Sequence, residues 1–209
     1  RDDRTYQAEQ EPFLMHSKAV FLDRDGTLNV ESGYIREVEK LVLIPGAAQA
    51  VKRLKEAGFL TVLTTNQSGV ARGFYDESHI HALHDRLQRL LQDEGNTQLD
   101  LVLYCPHHPR GAVDAYRQDC HCRKPEVGMI EQAQKQFPTI DLSQSFVFGD
   151  KATDVELAVN AGCKSVLLKT GYGANVLKGT YQNLQHTPDI VADDIGHAVN
   201  QILGIPEAV

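Results

Sequence analysis

AVFLDRDGTLN, residues 19–29, opens on an apolar run and closes on two aspartates, a glycine and a threonine. Ala19 to Leu22 show no polar alternation, the pattern of a strand buried on both faces and hence of a parallel sheet. Asp23 ends that run and Asp25 follows two residues later. In extended chain, side chains i and i+2 project to the same side. Two carboxylates so placed repel unless a cation lies between them or one is protonated. Hydrolysis of a phosphate ester by a carboxylate nucleophile needs both conditions. A hard divalent cation neutralises the attacking group and the phosphoryl oxygens, and a second carboxyl group protonates the leaving oxygen. Alone, the same letters also describe an Asp-Gly turn after a strand.

Working outward, further strands read at FLTVLTT (59–65), LDLVLYC (99–105), SFVFGD (145–150), KSVLLKT (164–170) and DIVA (189–192). Amphipathic stretches lie between them. Ala47, Ala50, Val51, Leu54 and Ala57 share one face of a helix over 46–57, which Gly58 stops. Asp76 is a suitable N-cap for 76–94, with Ile80, Leu83, Leu87, Leu90 and Leu91 as its stripe. Met129, Ile130, Ala133 and Phe137 repeat the pattern up to Pro138, and Val155, Leu157, Ala158 and Ala161 form a short helix closed by Gly162. Strands alternating with helices imply right-handed crossovers and an α/β fold, an open doubly wound parallel sheet. Ligands then bind beyond the carboxyl ends of the strands.

Three more signals fall at such ends. SFVF runs into GDKATD, placing Asp150 and Asp154 at i and i+4 on a strand-to-helix turn at the same edge as Asp23 and Asp25. LTTNQSG (63–69) ends a strand in hydroxyl and amide donors suited to phosphate oxygens, and Lys124 precedes a helix start, offering a fixed positive charge.

DxDGT, a strand ending in Thr-Asn, a lysine and GDxxxD, in this order over residues 19–195, resemble the haloacid dehalogenase superfamily of phosphatases. The resemblance implies that Asp23 is the nucleophile that becomes an aspartyl phosphate. It makes Asp25 the general acid and then the base that activates water, with Thr65 and Lys124 stabilising the phosphoryl group. Asp150, Asp23 and the backbone carbonyl of Asp25 would hold magnesium, with Asp154 acting from behind them.

Four cysteines in a chain read as cytosolic favour a metal over disulfides. Cys105-Pro-His107 and Cys120-His-Cys122 form two pairs separated by twelve residues. Three thiolates and an imidazole suit a closed, structural zinc site. His108 and His121 compete with His107, which gives both pairs the same one-residue gap. A disulfide from Cys105 is the alternative, and Cys163, after a helix-ending glycine, reads as a small buried hydrophobe.

YCPHHPRG, the following C-x-C-RKP, LDRDGTLN and TNQSG-x-ARG are similar to a narrower family, the D-glycero-D-manno-heptose 1,7-bisphosphate phosphatases. Histidinol-phosphate phosphatases share its zinc loop. Both resemble members without a cap domain, and no insertion here exceeds about 20 residues, too short for one. The resemblance implies cleavage of the C7 phosphate in making heptose precursors of the lipopolysaccharide core. By it, Glu31, Ser32, Gly33 and Tyr34 border the sugar. The turn Thr65, Asn66, Gln67, Ser68 holds the phosphate, while Arg123 and Lys151 contact anionic groups. A bisphosphate needs a second anion site, which Arg123, Lys151, Arg72 and Arg110 can supply. Histidinol phosphate, cationic at its amine, would want acidic company such as Glu31 and Asp154.

The chain has 209 residues, 42% hydrophobic and 23% charged, ample for one domain's core. We expect a polar tail over 1–17, with Met15 as an internal start, and one phosphatase domain over 18–209 carrying a zinc loop at 105–124. A net charge of −7 and the absence of tryptophan argue against a nucleic-acid 3′-phosphatase. No apolar run is long enough for a membrane helix and the N-terminus lacks a signal-peptide core, so the expected protein is a cytoplasmic monomer acting on a small sugar phosphate. A zinc-bearing binding module without catalysis would not need Asp23, Asp25, Lys124 and Asp150 together.

Overall fold

The computed structural model describes residues 17–206. The expected tail, Met15 included, therefore lies outside the described residues except for Ser17, which bridges to Ile140. Six strands, β1 (Lys18–Leu22), β2 (Phe59–Asn66), β3 (Leu101–Cys105), β4 (Phe146–Gly149), β5 (Lys164–Leu168) and β6 (Ile190–Ala192), form one sheet. All pairings are parallel, in the order β3-β2-β1-β4-β5-β6. Successive strands step outward on one side of β1 and then on the other, which makes the β1–β4 junction the switch point of the sheet.

β1 shows why the fold is doubly wound. Ala19 and Phe21 face one apolar layer while Val20 and Leu22 face the other, and all four are fully buried. The first layer is closed by Ile130 and Ala133 of α3 (Gly128–Gln136) and Leu157 and Ala158 of α4 (Ala152–Ala161). The second is closed by α1 (Ala47–Glu56), α2 (Glu77–Gly95) and α6 (Ile195–Leu203). Truncating a residue such as Phe21 to alanine would cost about 3–5 kcal/mol.

The expected caps form. Asp76 accepts from the backbone N–H of His79, and Gly162 ends α4 in the left-handed region at φ +73°. Two helices go beyond the sequence expectation: α5 (Gly173–Leu177), a single turn too short to show a period, and α6. No separate lid domain is present among the described residues; loops surround the carboxyl edge of the sheet.

Candidate active site

In register, Leu22 lies beside Leu63 and Phe148, and the N–H of Asp23 donates to the Phe148 carbonyl at 3.0 Å. The ends of β1 and β4 therefore deliver Asp23 and Asp150 side by side at the switch point. One turn into α4, Asp154 joins them: the three carboxylates each offer an oxygen within 4.8 Å of the others, and all are buried. This packing demands glycine. Gly26 sits at φ +80°, and a Cβ there would run into the Asp150 carboxylate; a Cβ on Gly149 would run into Asp154.

Lysines offset the crowding. Lys124 Nζ lies 2.9 Å from Asp23 Oδ1 and 2.6 Å from Asp154 Oδ1, and is itself 3% exposed. Lys151 Nζ lies 2.8 Å from Asp150, 3.3 Å from Glu31 and 3.5 Å from Asp23 Oδ2. Burial pushes the Asp23 carboxyl up, but the two ammonium groups outweigh it and hold the group well below the usual carboxylate range. Asp150 goes the other way: burial, with the nearby Asp23 and Asp154 charges, pushes it up to about 7 against the pull of Lys151. A carboxylate so short of compensating charge, beside another, suits a hard cation. The structure brings Asp23, Asp150 and Asp154 together as carboxylates that could hold such an ion, and the family resemblance adds the Asp25 carbonyl to Asp23 and Asp150.

The Asp25 side chain does not join this trio, contrary to the shared face expected of i and i+2. β1 ends at Leu22 and the chain turns through Gly26, so the Asp25 carboxylate swings to Arg24. Arg24 Nη2 bonds both its oxygens at 3.1 and 2.9 Å, Asn29 Nδ2 bonds Oδ1 at 3.0 Å and Gln67 Nε2 bonds Oδ2 at 3.0 Å. Gln67 also bonds Thr65 Oγ1 at 2.9 Å. The Asn66 amide makes a two-point pair with the backbone of Lys124, at 3.1 and 3.0 Å, so that this turn fixes that lysine.

A cavity of about 300 Å³ opens over this floor. Asp25, Glu31, Gly33, Tyr34, Asn66, Gln67, Ser68, Arg72, Arg123 and Lys151, all read from the sequence, line it. Asp23, Thr65 and Lys124 are buried and outside its lining, and Asp23 adjoins it through Lys151. Ser32 and Arg110 are not among the lining residues. Sequence reading missed Tyr75, Thr153, Tyr172, Tyr181 and Gln182, which line it too. Thr153 lies inside the GDKATD signal and was within reach; Tyr172 and Tyr181 stack at 4.1 Å on a segment with no motif.

Cys105, His107, Cys120 and Cys122 come together, with ligand atoms within 4.8 Å of one another and no disulfide. His121 instead meets Glu131 at 2.9 Å, and His108 accepts from the N–H of Arg110 at 3.0 Å, which leaves His107 as the imidazole of the set. Donors of that chemistry suit zinc. The loop behind them is tied down by Tyr116, whose hydroxyl donates to Glu77 at 2.7 Å. Arg123 Nη1 donates to the His107 carbonyl at 3.0 Å, so the cluster and the cavity share a residue. Cys163 packs against the first apolar layer, and burial pushes its thiol up to about 12.

A family model described as HAD-hydrolase-like matches residues 121–198. The chain is 50% identical over 191 residues to the D-glycero-D-manno-heptose-1,7-bisphosphate 7-phosphatase of Thermosynechococcus vestitus, across 90% of this chain and 96% of that relative. It is 44% identical over 155 residues to the D-glycero-beta-D-manno-heptose-1,7-bisphosphate 7-phosphatase of Escherichia coli, across 73% of this chain and 80% of that one. The crystal structure of D,D-heptose 1,7-bisphosphate phosphatase from B. bronchiseptica, complexed with magnesium and phosphate, superposes with a TM-score of 0.78 at 33% identity, over 90% of this chain and 99% of that one. The strand-end carboxylates, the lysines among them and these likenesses agree: the chain belongs to the D-glycero-D-manno-heptose-1,7-bisphosphate 7-phosphatase family of the haloacid dehalogenase superfamily.

Proposed function

We propose that the chain hydrolyses the C7 phosphate of D-glycero-D-manno-heptose 1,7-bisphosphate, leaving the 1-phosphate, as a step toward lipopolysaccharide core precursors. The observation that carries the reading is Asp23: a buried strand-end carboxylate kept ionised by Lys124 and Lys151, beside a cavity that also holds Arg72 and Arg123. The family relatives supply the substrate's identity.

In the first half-reaction an Asp23 oxygen bonds to phosphorus as the bond from phosphorus to the C7 oxygen breaks. Asp25 gives its proton to that oxygen, so the sugar leaves as an alcohol. Lys124, fixed by Asn66, offsets charge on the phosphoryl group. In the second half Asp25 takes a proton from water as the water oxygen bonds to phosphorus, and the bond to Asp23 breaks. Magnesium, held by Asp23, Asp150 and the Asp25 carbonyl, supplies Lewis-acid charge neutralisation when bound. Asp154 orients Lys124 and, through its bond at 3.1 Å to the N–H of Lys151, the start of α4.

The C1 phosphate, at the far end of the sugar, is assigned to Arg123, with Glu31, Ser32, Gly33 and Tyr34 along the sugar and Ser68 at the phosphate end. Cys105, His107, Cys120 and Cys122 hold a structural zinc ion. The working unit in this reading is a single domain over 18–209, a cytoplasmic monomer; no described helix is long and apolar enough to cross a membrane.

A phosphate-release screen over heptose 1,7-bisphosphate, histidinol phosphate and 3′-phosphorylated oligonucleotides tests the reading. The bisphosphate should be cleaved far faster than the others. Equal or faster release from histidinol phosphate would leave only the phosphatase class standing.

A further inference from the structure

Arg24 is almost completely buried, 1% exposed, on the chain between the two catalytic aspartates. Neighbours in an extended chain point to opposite faces, yet here the turn after β1 folds the guanidinium back onto Asp25. Nε and Nη2 reach Oδ1 at 3.2 and 3.1 Å, and Nη2 reaches Oδ2 at 2.9 Å. Asp25 is the one carboxylate that a described ion pair gives Arg24. Burying a guanidinium costs several kcal/mol unless a partner of matched geometry repays it, and only arginine offers the planar fork that fixes a carboxylate in two dimensions.

The two oxygens of Asp25 are not held alike. Oδ1 takes contacts from Arg24 Nε and Nη2 and from Asn29 Nδ2, all fixed protein donors. Oδ2 takes Arg24 Nη2 and Gln67 Nε2, and Gln67 lies equally close to a second acceptor, Thr65 Oγ1 at 2.9 Å. Gln67 can therefore release Oδ2 without losing its other hydrogen bond. A proton-transferring carboxyl needs one firmly anchored oxygen and one held by less: with Gln67 released, Oδ1 keeps three hydrogen bonds and Oδ2 one, that of Arg24 Nη2.

We propose that Arg24 is a positioning residue for the proton-transfer steps. With Asn29 it anchors Oδ1, so that Oδ2 carries the proton to the leaving oxygen and receives it back from water. This rests on the phosphatase reading above and adds to it which oxygen works and what aims it.

The test is leaving-group dependence, measured on the magnesium-loaded full chain. An alkyl phosphate such as heptose 1,7-bisphosphate must have its leaving oxygen protonated, whereas 4-nitrophenyl phosphate releases a stable phenolate without that help. Arg24→Lys keeps the charge but loses the fork. It should lower kcat/KM for the alkyl ester, which reports the steps up to departure of the alcohol and not the later hydrolysis common to both esters, by roughly 10²-fold, the scale of a lost proton transfer. The loss on the aryl ester should be smaller by at least about tenfold. Asn29→Ala, which removes one anchor and leaves the arginine in place, should show the same signature more weakly and serves if Arg24 variants do not fold. Equal losses of kcat/KM on the two esters would overturn the proposal by making Arg24 a packing residue. Failure of the heptose assignment shows separately, in the unmodified protein, as another alkyl phosphate cleaved faster; the alkyl-to-aryl comparison then runs on that ester.

Discussion

Two clusters of metal-binding type sit at the carboxyl edge of the same sheet, and they are built in opposite ways. The carboxylate trio grows from the ends of β1 and β4 and the first turn of α4, with every member buried and two lysines already in place. The cysteine–histidine set has one member, Cys105, rooted at the end of β3; the other three come from a loop whose regular structure is one short turn at Asp114–Tyr116. Hydrogen bonding of the sheet can hold the first set in shape without its ion. The second is held by side-chain ties such as Tyr116 to Glu77, and the proposed zinc would supply the cross-link among its four members, as in small zinc domains. Catalysis and loop architecture therefore draw their geometry from different sources and should fail in different ways, the first in kcat and the second in KM.

The largest expected effect is at Asp23. Asp23→Asn keeps the shape and removes the attacking charge, so phosphate release should fall to background, while Asp25→Asn should lose about 10²–10⁴-fold through proton transfer. Circular dichroism and zinc content should be unchanged in both. Near-normal turnover in Asp23→Asn would break the comparison at its catalytic end.

Next comes the zinc set. One zinc per chain should co-purify, because four protein ligands close the site. Cys120→Ser should loosen 105–124 and, through the bond from Arg123 to the His107 carbonyl, raise KM for the bisphosphate by about tenfold with a smaller change in kcat. Loss of zinc with an unaltered KM would separate the loop from the site. A smaller, more selective effect is expected of Arg123→Ala, which should narrow the preference for bisphosphate over monophosphate, measured as a ratio of kcat/KM, because binding energy at a remote anion is used to orient the reacting ester.

Much of this division was legible in the sequence, and for a physical reason. Strand-end carboxylates follow apolar runs, so Asp23, Asp150 and Asp154 announce both their chemistry and their address, and the spacing of Cys105, His107, Cys120 and Cys122 did the same for the loop. Side-chain direction was not legible. Placing Asp25 beside Asp23 assumed extended chain, and the turn through Gly26 sends its carboxylate to Arg24 instead. Asn66 and Gln67 read as phosphate donors, while their amides grip Lys124 and bridge Asp25 to Thr65. Tyr172 and Tyr181 reach the cavity from a segment after β5 whose local sequence carries no pattern. α6 did carry signals, Asp194 as a cap and Gly204 as a stop, with Ile195, Ala198 and Val199 buried between them.

The smallest effect lies in the support beneath the zinc loop. His84 on α2 packs edge-on to Tyr104 of β3, and burial pushes its imidazole down to about 3 from an ordinary 6.5. The unfolded chain therefore binds a proton that the fold excludes. The stability associated with neutral His84 is complete above pH 6.5 and declines as pH falls toward 3, by at most ~1.4 kcal/mol per pH unit. In thermal melts from pH 7 to 5, His84→Leu should flatten the pH dependence of Tm by the equivalent of about 2 kcal/mol at pH 5. An unchanged slope would show that this edge is not the acid-sensitive part.

The account turns on Asp23 taking the phosphoryl group. Rapid acid quench during turnover of heptose 1,7-bisphosphate, followed by peptide mass spectrometry, reads this directly. The predicted result is one phosphoryl group on the peptide carrying residues 19–29, located at Asp23 and absent from Asp23→Asn. A phosphoryl group on another residue, or none trapped while an exchange experiment shows direct attack of water on the ester, would contradict it.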